Sequence, residues 1–181
     1  MIKKAIVATF LLILSTVFLS KSLSSISASE EVNIEAKTVE YTLIYPGILP
    51  DHPLYFIKTI RDNIVYFLTR DYIKKAKLNL DFSDKKAAMA LLLSQKGKWK
   101  LSTDTILDGE REFGKIPELL NISKKQGAAA PENFILILKL SNEKHREIIE
   151  QMLKDAPQGE RRNFEEALTL NNKAQKTLSK L

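Results

Sequence analysis

From Leu54 to Leu178 the apolar residues return at steps of three and four, and turn-forming residues cut that rhythm into rods. Steps of this kind place side chains on one stripe of an α-helix. The first stripe is Ile57, Ile60, Ile64 and Phe67/Leu68, behind an Asp51 suited to the N-cap and a Pro53 suited to the first turn. Asp71 can cap a second helix carrying Ile73, Ala76, Leu80, Ala87 and Leu91, which Gly97 stops. A third begins near Lys98, with Trp99, Thr103, Ile106, Glu110, Phe113, Pro117 and Leu120 on its stripe. Glycine costs about 1 kcal/mol in a helix interior and proline about 3. Gly109 and Gly114 therefore weaken that helix, and a break is expected between Gly114 and Pro117. The segment 123–130 reads as a loop. Pro131 opens a fourth helix, running to about Asp155, with Leu138, Ser141, His145, Ile148 and Met152 on one side. Pro157-Gln158-Gly159 connects it to a fifth, through Phe164, Leu168, Asn171, Gln175 and Leu178. Short connections between long helices imply antiparallel neighbours. The expected fold class is all-α, an antiparallel bundle of about five helices with an extended N-terminal arm.

The arm is read from Val39, Tyr41, Leu43 and Tyr45, which alternate with polar residues and have no second strand to pair with. Ahead of it stand Met1-Ile2-Lys3-Lys4, an apolar run over 5–19, Lys21 and a serine-rich stretch ending at Ala28. A basic start, an apolar middle and a small-residue exit are the layout of a secretory leader. The run is short of the about 20 apolar residues that span a bilayer. Cleavage after Ala28 is expected, with an uncleaved membrane tether as the alternative. The organisation is then a signal peptide over 1–28, a spacer and arm over 29–45 and a helical domain over 46–181. The protein is expected to be secreted or extracytoplasmic, in the cell envelope.

An exported chain without cysteine must hold itself together by packing. Thiol catalysis, structural cysteine–zinc sites and lipid attachment through cysteine are excluded. Three of the 28 basic residues lie in the leader, leaving 25 against 22 acidic ones. That excess is too small and too scattered for a nucleic-acid stripe. Nucleophile elbows, phosphate loops, His-Glu-x-x-His and calcium-loop patterns are absent from the sequence. No catalytic residue, cofactor or metal is assigned.

The candidate of most chemical interest is His145. Its stripe turns it toward the bundle interior, with Leu170 or Asn171 roughly opposite across the hairpin. A hydrogen bond to Asn171 or Ser141 would satisfy it; a ligand or pH-sensing role is the sharper alternative. Asp51 and His52 lack a third ligand and read as a turn that launches the first helix. Leu49, Leu54 and Tyr55 are expected as buried pegs of that turn. Asp104, Asp108 and Glu112 recur on one helical face, which reads as solvated. Lysines 96, 98 and 100 surround Gly97 beside Trp99, and lysines 74, 75 and 77 form a second cluster, both read as solvated helix ends. Contact with anionic lipid or wall polymer is their functional alternative.

The block Pro46-Gly47-Ile48-Leu49-Pro50-Asp51-His52-Pro53-Leu54-Tyr55-Phe56-Ile57-Lys58 resembles a signature of an uncharacterised family of secreted bacterial helical proteins. Arg61-Asp62, Leu68-Thr69-Arg70-Asp71 and Lys74-Lys75-Ala76-Lys77-Leu78 continue the likeness, as do Lys144-His145 with Ile149 and Lys154-Asp155-Ala156-Pro157. The resemblance implies an extracytoplasmic helical domain of unknown function, with no catalytic residue or ligand. Similar blocks occur in the outer portions of some membrane regulators linked to sigma factors. Where relatives place a second histidine, near Asn172 to Gln175, this chain has none, which argues against a paired-histidine metal site.

The expected function is binding, as an exported interaction or sensor-accessory module, not an enzyme. A metal- or stress-responsive sensor built on His145 is the second reading and an envelope hydrolase the third. The expected partner is an envelope protein or polymer, with weak membrane-surface contact as a further option and no nucleic acid. Asp51, His52, Leu54, Tyr55, Lys58, Trp99, His145 and Asn171 are the positions singled out for interaction or structure.

Overall fold

A computed structural model of the chain describes residues 39–181; the expected leader and most of the spacer lie outside the described residues. Among the described residues six helices follow one another: α1 (Tyr55–Leu68), α2 (Tyr72–Gln95), α3 (Trp99–Gly114), α4 (Ile116–Lys125), α5 (Glu132–Asp155) and α6 (Gln158–Leu178). No strand occurs among the described residues. The fold is all-α, as the periodicity requires. The expected third helix divides where Gly114 and Pro117 weaken it, which yields α3 and α4 as separate rods.

The helix boundaries follow local chemistry. Asp71 caps α2 by accepting the Lys74 amide at 2.8 Å. Gly97 ends the same helix at φ +71°, with Gly97 N–H donating to the Ser94 carbonyl and Lys98 N–H to that of Leu93. This pair of bonds is a Schellman stop, which glycine allows because it carries no Cβ. Asp51, however, does not cap α1. The helix starts at Tyr55 behind Leu54, with no side-chain cap, and the Asp51 carboxylate turns to Lys98 (2.8 Å) and Lys96 (3.3 Å) instead. Two ammonium groups beyond the end of α2 compete better for it than one backbone amide.

The bundle packs around two apolar clusters. One holds Leu80, Phe113, Ile116, Leu120, Phe134, Leu138 and Leu178; the other holds Ala87, Ala90, Ile106, Ile148, Met152 and Phe164. Both draw on α2, α3, α5 and α6, and α4 closes the first. Gly109 lies where α3 crosses α2. A methyl group there would stand 3.1 Å from Lys86 Cβ and 3.4 Å from the Ser83 carbonyl oxygen. The helix-weakening glycine is thus the residue that lets α2 and α3 approach. The arm lies extended, with Leu43 against the second cluster and Pro46 buried.

Adding the same methyl group at two glycines should have opposite effects. Gly109→Ala should destabilise by about 1–2 kcal/mol in urea unfolding, because overpacking exceeds the gain in helix propensity. Gly159→Ala, in the open first turn of α6, should stabilise by about 0.5–1 kcal/mol.

Candidate functional site: a buried ionic layer and an outward apolar helix

Between the two apolar clusters lies a polar layer. Asp84 sits between Leu80 and Ala87 on α2, Glu110 between Ile106 and Phe113 on α3, His145 between Leu138 and Ile148 on α5, and Asn171 between Ala167 and Ala174 on α6. All four are buried at 0–1 % exposure. His145 is the hub. Its Nε2–H donates to Asp84 Oδ1 at 3.0 Å and its Nδ1–H to Glu110 Oε1 at 2.8 Å. With an ionised carboxylate at each ring nitrogen, only the imidazolium supplies both donors.

The carboxylates have further donors. Asp84 accepts from the Ser141 hydroxyl at Oδ1 and from the Tyr41 hydroxyl at Oδ2, both at 2.6 Å. Glu110 Oε2 accepts from the Asn171 amide at 3.3 Å. Asn171 and Asn142 also exchange bonds, each side-chain amide donating to the other's backbone carbonyl. Phe113 closes the layer edge-on to the imidazole, ring centroids 5.5 Å apart. Burial by itself pushes the His145 pKa down. The hydrogen bonds and charges of Asp84 and Glu110 outweigh it and raise the pKa to about 9. Burial pushes the Tyr41 phenol up, and the hydrogen bond it donates to Asp84 adds to the shift.

The sequence places His145 inside correctly but misassigns its partners. The ring bonds neither Asn171 nor Ser141; each instead shares a carboxylate with it. A buried imidazole with one amide or hydroxyl partner would have to stay neutral, whereas two carboxylates hold it charged. Both positions where its ring could offer a lone pair are taken up by hydrogen bonds. Among the described residues no group of three or more His, Cys, Asp or Glu side chains is disposed to hold a metal ion.

The second feature is α1, the only one of the six helices with no buried residue. Its stripe runs the wrong way for a bundle helix. Phe56, Ile57, Ile60, Ile64, Phe67 and Leu68 face out, with exposures from 53 to 81 %. The inward side carries Tyr55, Lys58, Asp62 and Tyr66, each half-buried. They overlie a cleft of about 160 Å³ whose far wall includes Phe82, Lys86 and Asp108. Lys58 reaches the Pro46 carbonyl (3.4 Å) and the Met89 sulfur (3.9 Å) while lying over the Tyr55 ring. Its burial pushes the ammonium pKa down. Tyr66 receives the Lys75 ammonium on its face, 4.9 Å from the centroid. Polar and cation–π contacts therefore hold α1 to the body, and its hydrocarbon is left outside.

The remaining positions are structural. His52 accepts the Leu54 amide at Nδ1 and forms the launching turn. Leu54 is not a buried peg but is 49 % exposed, because the turn ends before the chain reaches the body. Leu49 and Tyr55 are half-buried. Trp99 packs edge-on against Phe164. Asp104, Asp108 and Glu112 pair with Lys100, Arg111 and Lys115 on the surface. The sequence reading missed Glu110 as a site residue although it stood on the α3 stripe, and passed over Asp84, which is four residues from Leu80.

Two outcomes follow for the ionic layer. The folded pKa of His145 lies above the unfolded value of 6.5, so its contribution is complete below pH 6.5 and is lost as pH rises through about 9. The loss should be on the order of 3 kcal/mol in urea titrations. Asp84, Glu110 and Tyr41 are the titratable groups facing the ring, and His145→Gln should abolish this alkaline loss. Asp84→Ala should cost about 3–5 kcal/mol at neutral pH, since it leaves a buried cation and two hydroxyls short of an acceptor.

No curated protein and no solved structure matches the chain. One family does, over residues 47–159, from the glycine before α1 to the first turn of α6. The chain belongs to this family, a domain of unknown function designated DUF5667.

Proposed function

We propose that the protein is a non-catalytic, exported interaction module that works through the outward face of α1. The observation that carries this reading is the inverted amphipathicity of that helix. Six large apolar side chains sit in one patch on a helix that contributes nothing buried to the core. Scattered apolar residues on a surface need no explanation, but contiguous patches of several hundred Å² mark interaction sites. Covering half of a Phe or Ile side chain contributes about 1 kcal/mol, so a partner seated on six of them gains several. The buried layer supports a scaffold role for the rest of the domain. Its histidine and carboxylates bond one another and have no opening toward a substrate. Placement outside the cytoplasm rests on the leader-like start of the sequence.

A photo-crosslinking residue at Ile64 should form adducts in intact host cells, with protein or with lipid, whereas one at Lys173 on the exposed side of α6 should not. Equal absence of adducts at both positions would defeat the proposal. Ile60→Ser with Phe67→Ser should shift folding stability by less than about 0.5 kcal/mol, because both side chains are already in water.

A further inference from the structure

We infer that the outward face of α1 seats on the surface of an anionic lipid bilayer, a step that rests on the proposal that this face is the working surface. The face has the composition of an interfacial helix. Phe56 and Phe67 lie near its two ends, and Ile57, Ile60 and Ile64 lie between them. Helices of this kind lie in the membrane plane with the apolar side sunk to the acyl boundary and cations at headgroup level.

Charge selects the partner. Over residues 45–77 there are six basic side chains and three acidic ones. Two of the acids are ion-paired, Asp51 with Lys96 and Lys98 and Asp62 with Arg61, while Asp71 caps α2 through the Lys74 amide. Arg70, in the link that follows α1, and Lys74, in the first turn of α2, are exposed. At the near end a groove of about 430 Å³ joins apolar walls from Tyr45, Ile48, Leu54 and Ile57 to the cation Lys85 and to Arg61, whose charge is shared with Asp62. A groove with hydrocarbon walls and a cationic edge suits a lipid whose headgroup is negative. A second copy of the chain would bring two such cationic margins together, so charge disfavours self-pairing and favours an anionic sheet.

The full chain has no cysteine, so a single introduced thiol reports one position cleanly. Ile60→Cys, Phe67→Cys and Lys173→Cys, each carrying an environment-sensitive fluorophore, would be mixed with vesicles containing brominated phosphatidylcholine, with or without phosphatidylglycerol. Thermal unfolding would first confirm that each labelled variant is folded. With phosphatidylglycerol present, emission at positions 60 and 67 should shift to the blue and be quenched about twofold or more, with no change at 173. Salt at about 1 M should reverse much of this. Equal quenching in neutral vesicles would overturn the anionic requirement. Labels at 60 and 67 that stay aqueous in every vesicle would overturn the membrane assignment altogether. In that case disulfide crosslinking between Ile60→Cys copies would preserve the interaction reading with a second copy as partner. Failure of that crosslink and of the Ile64 adducts would remove both.

Discussion

One imidazolium between two carboxylates sets the register of the whole bundle. His145 joins α5 to α2 through Asp84 and to α3 through Glu110. The same carboxylates bring in the arm through Tyr41 and α6 through Asn171. Five segments therefore meet at one level, between two apolar clusters. Apolar packing alone tolerates a helix sliding by one turn, since one aliphatic side chain replaces another at modest cost. Here such a slide would drive Asp84 or Glu110 into hydrocarbon and strand the cation. The desolvation of three ionisable groups makes the layer a weak source of net stability and a strong penalty on misalignment. A chain without disulfides gains a defined register by this means.

The arm is part of that device. Tyr41 donates to the carboxylate oxygen that His145 leaves free, and the Val39 amide donates to Glu147 at 2.9 Å. The extended segment is thus held at two points before Leu43 reaches the second cluster, without any strand partner. Ordering a residue's backbone costs about 1–2 kcal/mol, and a charge-assisted bond to a buried acid offsets more of that than an exposed contact would. Tethering fixes where the chain enters the 46–54 turn, and hence where α1 begins.

Several helix boundaries were legible in the sequence because capping is local chemistry, although Asp51 caps no helix and α4 runs on to Lys125, inside the expected 123–130 loop. Asp71, Gly97 and the Gly114–Pro117 break act through their nearest neighbours, and the structure places each where the residues imply. Periodicity also put His145 inside. It could not name Asp84 and Glu110, because charge argues for solvent unless a matching partner arrives from another helix. Two acids interrupting apolar stripes, with one histidine interrupting a third, was the available signal. The orientation of α1 was not legible for a different reason. A stripe says that a helix has an apolar side and is silent on what lies opposite. Only the half-buried Tyr55, Lys58, Asp62 and Tyr66 reveal which side meets the body.

These two features divide the labour of the domain. The ionic layer fixes α2, α3, α5 and α6 so firmly to one another that α1 is not required for either core. A helix released from that task can carry hydrocarbon outward, provided something else holds it in place. Lys58 reaching Pro46 and Met89, and Lys75 resting on Tyr66, do so through polar atoms and ring faces, which leave the isoleucines of α1 unused. Had α1 been pinned by its isoleucines, docking a partner there would have required tearing it from the body. Pinned by its polar side, it presents the whole apolar stripe without any rearrangement, so a partner that docked there would find the conformational cost already met when the protein folds.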